Sequence, residues 1–92
     1  MPYFVYLLEC RGKSYYCGLT KNVSARVLAH NNGTGGRYTR SHRPVKLVFF
    51  EKAKTLKTAM KREREIKTFS RKKKKELVEQ KKARKKKLAR FV

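Results

Sequence analysis

The chain has no aspartate and no tryptophan, and only two cysteines, two prolines and two histidines in 92 residues. Its six acidic residues are all glutamates: Glu9, Glu51, Glu63, Glu65, Glu76 and Glu79. A centre holding two metal ions between several carboxylates is hard to build from that set, so one ion is the most the sequence supports. Cys10 and Cys17 lack metal-ligand spacing, and two histidines do not complete a zinc site. They read as reduced thiols packed like small apolar groups in a cytosolic protein. The apolar run FVYLL near the start is too short for the core of a secretory signal, and no positive residue precedes it. The basic stretches lack the Trp, Phe and Leu stripe with which an interfacial helix buries itself in a membrane. No internal repeat is present. These absences lead to the expectation of a cytoplasmic protein, nucleoid-associated if bacterial, with no membrane partner and no small-molecule cofactor.

What is abundant is positive charge. Twenty-seven Lys and Arg against six Glu give a net charge of +21, which a chain of this size either offers to a polyanion or carries as self-repulsion. DNA is the leading partner and RNA remains open. A chain of 92 residues is one domain's worth and buries only about 60 to 65% of its unfolded surface, so the core is small.

YFVYLLEC, residues 3–10, has the aromatic and aliphatic content of a buried strand, and a turn at Gly12 leads into SYYCGLT. This predicts a β-hairpin. Asn22 is a helix N-cap candidate, and VSARVLAHN ends just before Gly33, which marks a first helix. Residues 31–44, NNGTGGRYTRSHRP, carry turn chemistry and read as a basic loop without a regular element. VKLVFFEK, 45–52, is a third strand; Thr55 caps a second helix running to about Phe69, and Ser70 caps a third.

After Arg71 the composition changes: twelve basic residues against two glutamates leave +10 on the last 22 positions. Leu77 and Val78 suffice to dock one turn, but KKARKKKLARF has no apolar face and reads as solvated or frayed when unbound. The division is therefore a folded domain at 1–78 and a basic tail at 79–92. The basic segment from Arg71 onward reads as phosphate-binding, with Lys73 and Lys74 ahead of the tail and Lys85 and Lys86 within it as contacts, against the plainer alternative of a solubilising end.

Three titratable groups stand out by position. At about 100° per residue, Glu63 falls inside the arc marked by Leu56, Ala59, Met60 and Ile66, whereas Glu65 faces solvent. An inward carboxylate must be protonated, paired or bound to a cation, because an unsatisfied buried charge costs several kcal/mol; a salt bridge to an arginine is the bland alternative. Arg26 and His30, four apart on the first helix, share a face beside Val23 and Val27. An ordinary exposed pair is the alternative there.

With Tyr6 and Tyr16, these residues stand in the order and approximate separations of a known family. FVY at 4–6, YCG at 16–18, the R-x-x-x-H pair, GGRYTRSHRPVKLVFFE and AMKREREIK together resemble the GIY-YIG endonuclease superfamily. The likeness is to its small stand-alone bacterial members and to the nuclease subunit of the eukaryotic enzyme that resolves branched DNA, over residues 3 to about 78. It implies an α/β fold of the α+β kind, a small three-stranded antiparallel sheet flanked by helices in the order β-β-α-β-α-α. It also implies a phosphodiesterase using one divalent ion, Mg²⁺ or Mn²⁺, held by Glu63, and acting on DNA, with branched or damaged structures suggested by analogy. In this pattern Tyr16, with Tyr6 beside it, acts on the attacking water, Arg26 stabilises charge on the phosphate, and His30 assists. The chemistry is reasonable. A free tyrosine titrates near 10 and needs a nearby cation to serve as a base, and an arginine fork can hold two phosphoryl oxygens as charge builds.

The two tyrosines share a sheet face only if paired hairpin residues sum to an even number, as with a three-residue loop Arg11–Lys13; this register is the expectation. Tyr15 then lies on the other face as a packing residue. Departures from the family pattern are Phe4 for the first-motif glycine, Cys17 for an aliphatic, and Leu19 where some repair-incision members place a lysine, with Lys21 near enough to substitute. No asparagine follows Asn32, so the late asparagine of some relatives has no counterpart. In the basic loop, Arg37, Tyr38, Arg40 and Arg43 are read as nucleic-acid contacts, against a merely flexible link. A monomer or weak dimer is expected. The competing reading is a non-catalytic module that holds DNA or structured RNA by charge.

Overall fold

The computed structural model describes the backbone of residues 2–89 and the side chains of residues 2–81. Strand β1 (Tyr3–Glu9) lies at the centre of a three-stranded antiparallel sheet, between β2 (Tyr15–Thr20) and β3 (Lys46–Ala53). Because both faces of β1 are covered, its burial is a continuous run from Val5 to Leu8 rather than an alternation. Odd-numbered Val5 and Leu7 meet Cys17 and Phe49 under Ala59, Ile66 and Val78. Even-numbered Tyr6 and Leu8 join Cys10 and Val45 on the opposite face, beside Val27 of helix α1 (Val23–Asn31).

A bulge in the β1–β3 ladder divides β3 between these two layers. Leu7 pairs with Phe49, but Leu8 pairs with Leu47. The extra residue, Val48, breaks the period-two alternation, so Leu47 and Phe49 serve opposite faces although they are two apart.

The helices begin where side chains cap them. Asn22 accepts from Ala25 N (3.1 Å) ahead of α1, and Thr55 accepts from Thr58 N (3.2 Å) ahead of α3 (Leu56–Lys67). Ser70 accepts from Lys73 N (3.1 Å) at the start of α4 (Arg71–Ala89). The end of α1 is fastened to β3 by Asn31, whose amide donates to Val45 O (3.1 Å) and accepts from Val45 N (2.8 Å). Helix α3 is tied to β3 by Arg62, which pairs with Glu51 at 2.8 Å and with Glu65 at 2.7 Å.

The expected order of elements is present, with one addition. The segment read as an irregular basic loop contains a short helix, α2 (Arg37–Ser41). Turn-forming glycines lead into it, but buried Thr39 anchors its middle, a tertiary contact that local composition does not reveal. The buried side of α3 is also rotated from expectation. Ala59 and Ile66 are fully buried, whereas Leu56 (43% exposed) and Met60 (45%) face outward, so Glu63 lies on the flank of the buried stripe. In α4, Val78 docks as expected (2% exposed), and the backbone stays helical through Ala89 rather than fraying; Lys, Arg, Leu and Ala are all good helix formers. Lys85 and Lys86 have side chains outside the described residues.

Truncating Ile66 to alanine removes the largest side chain that α3 places in the core. We expect a loss of about 2–5 kcal/mol in urea unfolding, while Leu28→Ala, at a position 62% exposed on α1, stays within about 0.5 kcal/mol of the parent. Equal midpoints for the two variants would contradict this core assignment.

Candidate active site

The hairpin register decides whether the two tyrosines can cooperate. Tyr6 pairs with Gly18 and Leu8 with Tyr16, the even register, which places both phenols on the α1 face. The turn responsible has three residues. Lys13 N donates to Cys10 O (3.0 Å) and Cys10 N to Ser14 O (2.8 Å), with Gly12 at φ 89° and Lys13 at φ 64°. Tyr15 lies on the other face against the α3 side of the core, as a packing residue.

Tyr6 is 1% exposed and lies flat across its partner strand. A Cβ at Gly18 would collide with its hydroxyl and Cζ, which accounts for the glycine of YCG. The hydroxyl is 2.9 Å from Nε2 of His30, and Nδ1 of the same ring is 2.7 Å from Oγ1 of Thr39. His30 and Thr39 are both buried, at 0% and 1% exposure. Gly35 packs against this imidazole, since a Cβ there would run into the ring.

Proton positions follow from counting donors. The Thr39 hydroxyl donates to Gly36 O (3.4 Å), so its lone pair receives the Nδ1–H of His30 and Nε2 is left as an acceptor. Arg26 lies close enough to the Tyr6 phenol to act on its titration, and with Nε2 left as an acceptor the phenol's own proton fills that bond. Tyr6 is therefore the donor and His30 the acceptor. Burial pushes the Tyr6 phenol above its ordinary range; Arg26 opposes that shift, but burial is larger. Burial first, and then the Arg26 charge, push the His30 imidazole below its usual value. Both effects keep the proton on Tyr6 and the imidazole neutral at rest.

Arg26 itself is solvent-exposed, with its guanidinium also donating to Gly35 O at 3.5 Å. Tyr16 is half-buried, its ring 5.1 Å from that of His30 in an edge-to-face contact and 6.5 Å from that of Tyr6. It also stacks on Tyr38 at 6.4 Å, and Tyr38 stacks on His42 at 4.1 Å while donating to Ser14 Oγ at 2.6 Å. The residues singled out from sequence as Tyr6, Tyr16, Arg26 and His30 thus come together.

Glu63 approaches from the other face. Its backbone carbonyl accepts from the Cys17 thiol (3.9 Å), and its carboxylate, 21% exposed, pairs with Lys67 at 3.6 Å. Burial, then the Glu63 charge, push Cys17 up to about 11. Cys17 in turn is close enough to Tyr6 to act on its titration. Glu63 and the tyrosines therefore lie on opposite faces of the edge strand β2. Among the described residues no group of three or more His, Cys, Asp or Glu could enclose a metal. A lone carboxylate nonetheless suits a hard cation such as magnesium, which keeps several waters and takes its remaining ligands from a phosphate.

The expected nucleic-acid contacts do not form one patch. Lys21 lies over Tyr3 at 5.3 Å, at the open end of the hairpin. Lys73 covers Phe69 at 4.2 Å, and Lys74 sits close enough to Cys17 to act on it from the α3 side. Arg37 and Arg40 lie on α2 and Arg43 just after it, all exposed. Thr39 as the partner of His30, and Arg11, were not among the residues the sequence singled out; only the folded contacts identify them.

Comparison with known proteins identifies the family and the fold. A model of the GIY-YIG catalytic domain matches residues 2–76, and the chain belongs to that family. More narrowly, it is similar to UPF0213 proteins. It is 46% identical over 76 residues to one from Staphylococcus saprophyticus (83% of this chain, 93% of the relative) and 47% identical over 78 residues to one from Staphylococcus aureus (85% and 95%). Two solution NMR structures share the fold. The UPF0213 protein of Bacillus halodurans has a TM-score of 0.58 at 41% identity, covering 88% of this chain and 86% of that one; a protein of E. faecalis has 0.60 at 34%, covering 87% and 85%.

The neutral, buried His30 makes two measurable outcomes. Imidazole ¹⁵N shifts should report the Nδ1–H tautomer, and Thr39→Val should perturb them. Because the folded value lies below the unfolded 6.5, the unfolded chain binds more protons in acid. This contribution is intact above about pH 6.5 and is lost as pH falls from there toward the folded value. A His30 Cε1–H resonance that titrates above 6.5 would refute the assignment.

Proposed function

We propose that the protein is a metal-dependent endonuclease that hydrolyses phosphodiester bonds in DNA. The observation that carries this reading is the buried Tyr6–His30–Thr39 chain beneath Arg26 and beside Tyr16, in a chain of the GIY-YIG family. A phenol and an imidazole joined inside a small, strongly basic domain, with a guanidinium near enough to act on the phenol, are more than stability requires.

The work divides by exposure. Tyr16, half-buried, is the phenol a substrate-borne water can reach. Tyr6, with a proton acceptor in place, holds the proton network next to it. Arg26, exposed at the mouth, holds phosphoryl oxygens as charge develops during attack on phosphorus. The water gives a proton to the Tyr16 oxygen, acting as base in its deprotonated form, as the bond from its oxygen to phosphorus forms and the bond to the departing sugar oxygen breaks; that oxygen takes its proton from solvent. Glu63 would hold one Mg²⁺ or Mn²⁺, with Lys67 giving way at the carboxylate, and the ion when bound supplies Lewis-acid polarisation of the phosphate. Net charge of +21 supports a nucleic-acid substrate through counterion release. Among the described residues no helix is long and apolar enough to cross a membrane.

Plasmid nicking by the parent in Mg²⁺ against EDTA tests this directly. We expect Glu63→Ala, Tyr16→Phe and Arg26→Ala each to lower the rate by at least about 100-fold, the scale of removing one group that stabilises the transition state. Nicking that is equal for parent and variants would assign the activity to a contaminant and leave the chain a binder of DNA or structured RNA.

A further inference from the structure

The hairpin turn and the segment joining α1 to β3 enclose a notch away from the tyrosines. Arg11, Arg40 and Arg43, with Asn31, Ser41 and Pro44, line a concavity of about 440 Å³. We propose that this notch is a phosphate-binding site that takes one backbone phosphate of a bound nucleic-acid strand, distinct from the phosphate being cut. The proposal rests on the nucleic-acid reading above and adds a second anchoring point to it.

Three features make the notch a built site rather than a patch of surface charge. Two of its arginines are fixed by carbonyls that do not neutralise them: Arg11 Nη2 donates to Ser41 O (3.4 Å), Arg43 Nε to Arg40 O (3.1 Å) and Arg43 Nη1 to Asn31 O (3.4 Å). The walls are locked together, because Arg11 N donates to His42 O (2.9 Å) and binds the turn to the end of α2. Gly33, at φ 84°, leaves room for the side chains, since a Cβ there would lie 3.0 Å from Arg43 Nη1 and 3.7 Å from Arg40 Cγ.

No counter-charge is supplied. Asn31 is committed to Val45 and the Ser41 hydroxyl to Arg37 O, so the remaining polar lining is already satisfied. Glu51 and Glu65 are held by Arg62, and Glu63 by Lys67. Two other cavities, beside Tyr15 and along α4, each include glutamate in their walls, whereas this one has none. Three guanidinium groups that line one notch without an acid repel one another, and a phosphate matches their planar forks bidentately.

The location favours a strand over a free anion. Helix α2 presents Arg40 to the notch, Thr39 to His30 and Tyr38 to Tyr16. A strand that crosses the tyrosines therefore passes the same short helix. Such an anchor contributes to binding and leaves the chemical step alone.

The test uses the full chain in Mg²⁺-free buffer, comparing Arg11→Gln/Arg40→Gln with Lys52→Gln/Lys57→Gln, which removes equal charge from exposed sites on β3 and α3. Anisotropy titrations of a labelled oligonucleotide over a salt series should give a log K against log salt slope that is shallower by about 1 in the notch variant than in the control. Equal slopes would reduce the notch to general charge and overturn the proposal. In a second arm, Arg Nε–H resonances are followed with inorganic phosphate and then with the oligonucleotide. Oligonucleotide that moves the Arg11, Arg40 and Arg43 signals and displaces phosphate supports the assignment. Signals that respond to phosphate but not to the oligonucleotide make it a small-anion site and refute the proposal. Neither arm depends on cleavage, so inactivity in the nicking assay would remove the nuclease reading without touching these results.

Discussion

One buried phenol organises the site. Tyr6 stands on the central strand with its ring across β2 and its hydroxyl enclosed by protein, where an unpartnered polar group would cost roughly 1–3 kcal/mol. Each neighbour is explained by that hydroxyl. Gly18 lacks a side chain because the ring occupies the place of its Cβ. His30 is buried on α1 because it accepts the phenol proton, and Thr39 is buried on α2 because it fixes the tautomer in which His30 can do so. Gly35 closes over the imidazole. The short helix α2 thus belongs to the site: without Thr39, a five-residue helix in a glycine-rich segment has little reason to form.

Charge is arranged with comparable economy. Three of the six glutamates are occupied by Arg62 and Lys67 on α3, so the positive field over the α1–α2 side is left uncompensated. That distribution separates two roles that composition alone merges. Basic residues on α3 balance acids and hold the helix to the sheet, whereas those around α2 and the hairpin turn are free to meet an anion.

Much of this was legible from sequence where local chemistry decides the outcome. Asn22 and Thr55 cap the helices they were expected to cap, since a cap is a contact within three residues. The even hairpin register followed from a three-residue turn, and with it the shared face of Tyr6 and Tyr16. Contacts that depend on distant packing were not legible. The bulge at Val48 changes which face Leu47 serves, and nothing in VKLVFFEK announces it. Leu56 and Met60 marked an apolar arc on α3 that the sheet does not cover, because the true contact is centred on Ala59 and Ile66. Arg26 and His30, read as a pair projecting together, are divided by depth: one at the surface, one wholly enclosed.

The position of Glu63 follows from the same geometry and constrains how a substrate can lie. Adjacent strand residues point to opposite faces, so Tyr16 belongs with His30 while Cys17 belongs with α3 and Glu63. A carboxylate and a phenol on opposite faces cannot meet through the middle of a sheet. They can meet around a free edge, and β2 is an edge strand in the order β2-β1-β3. Gly18 lies on that strand next to Cys17, with the place of its Cβ filled by the Tyr6 ring and hydroxyl. On the nuclease reading proposed above, a phosphate held through a cation on Glu63 would approach along the open edge of the hairpin rather than through either helical layer, with Arg26 near Tyr6 on the α1 side and Lys67 and Lys74 near Cys17 on the α3 side.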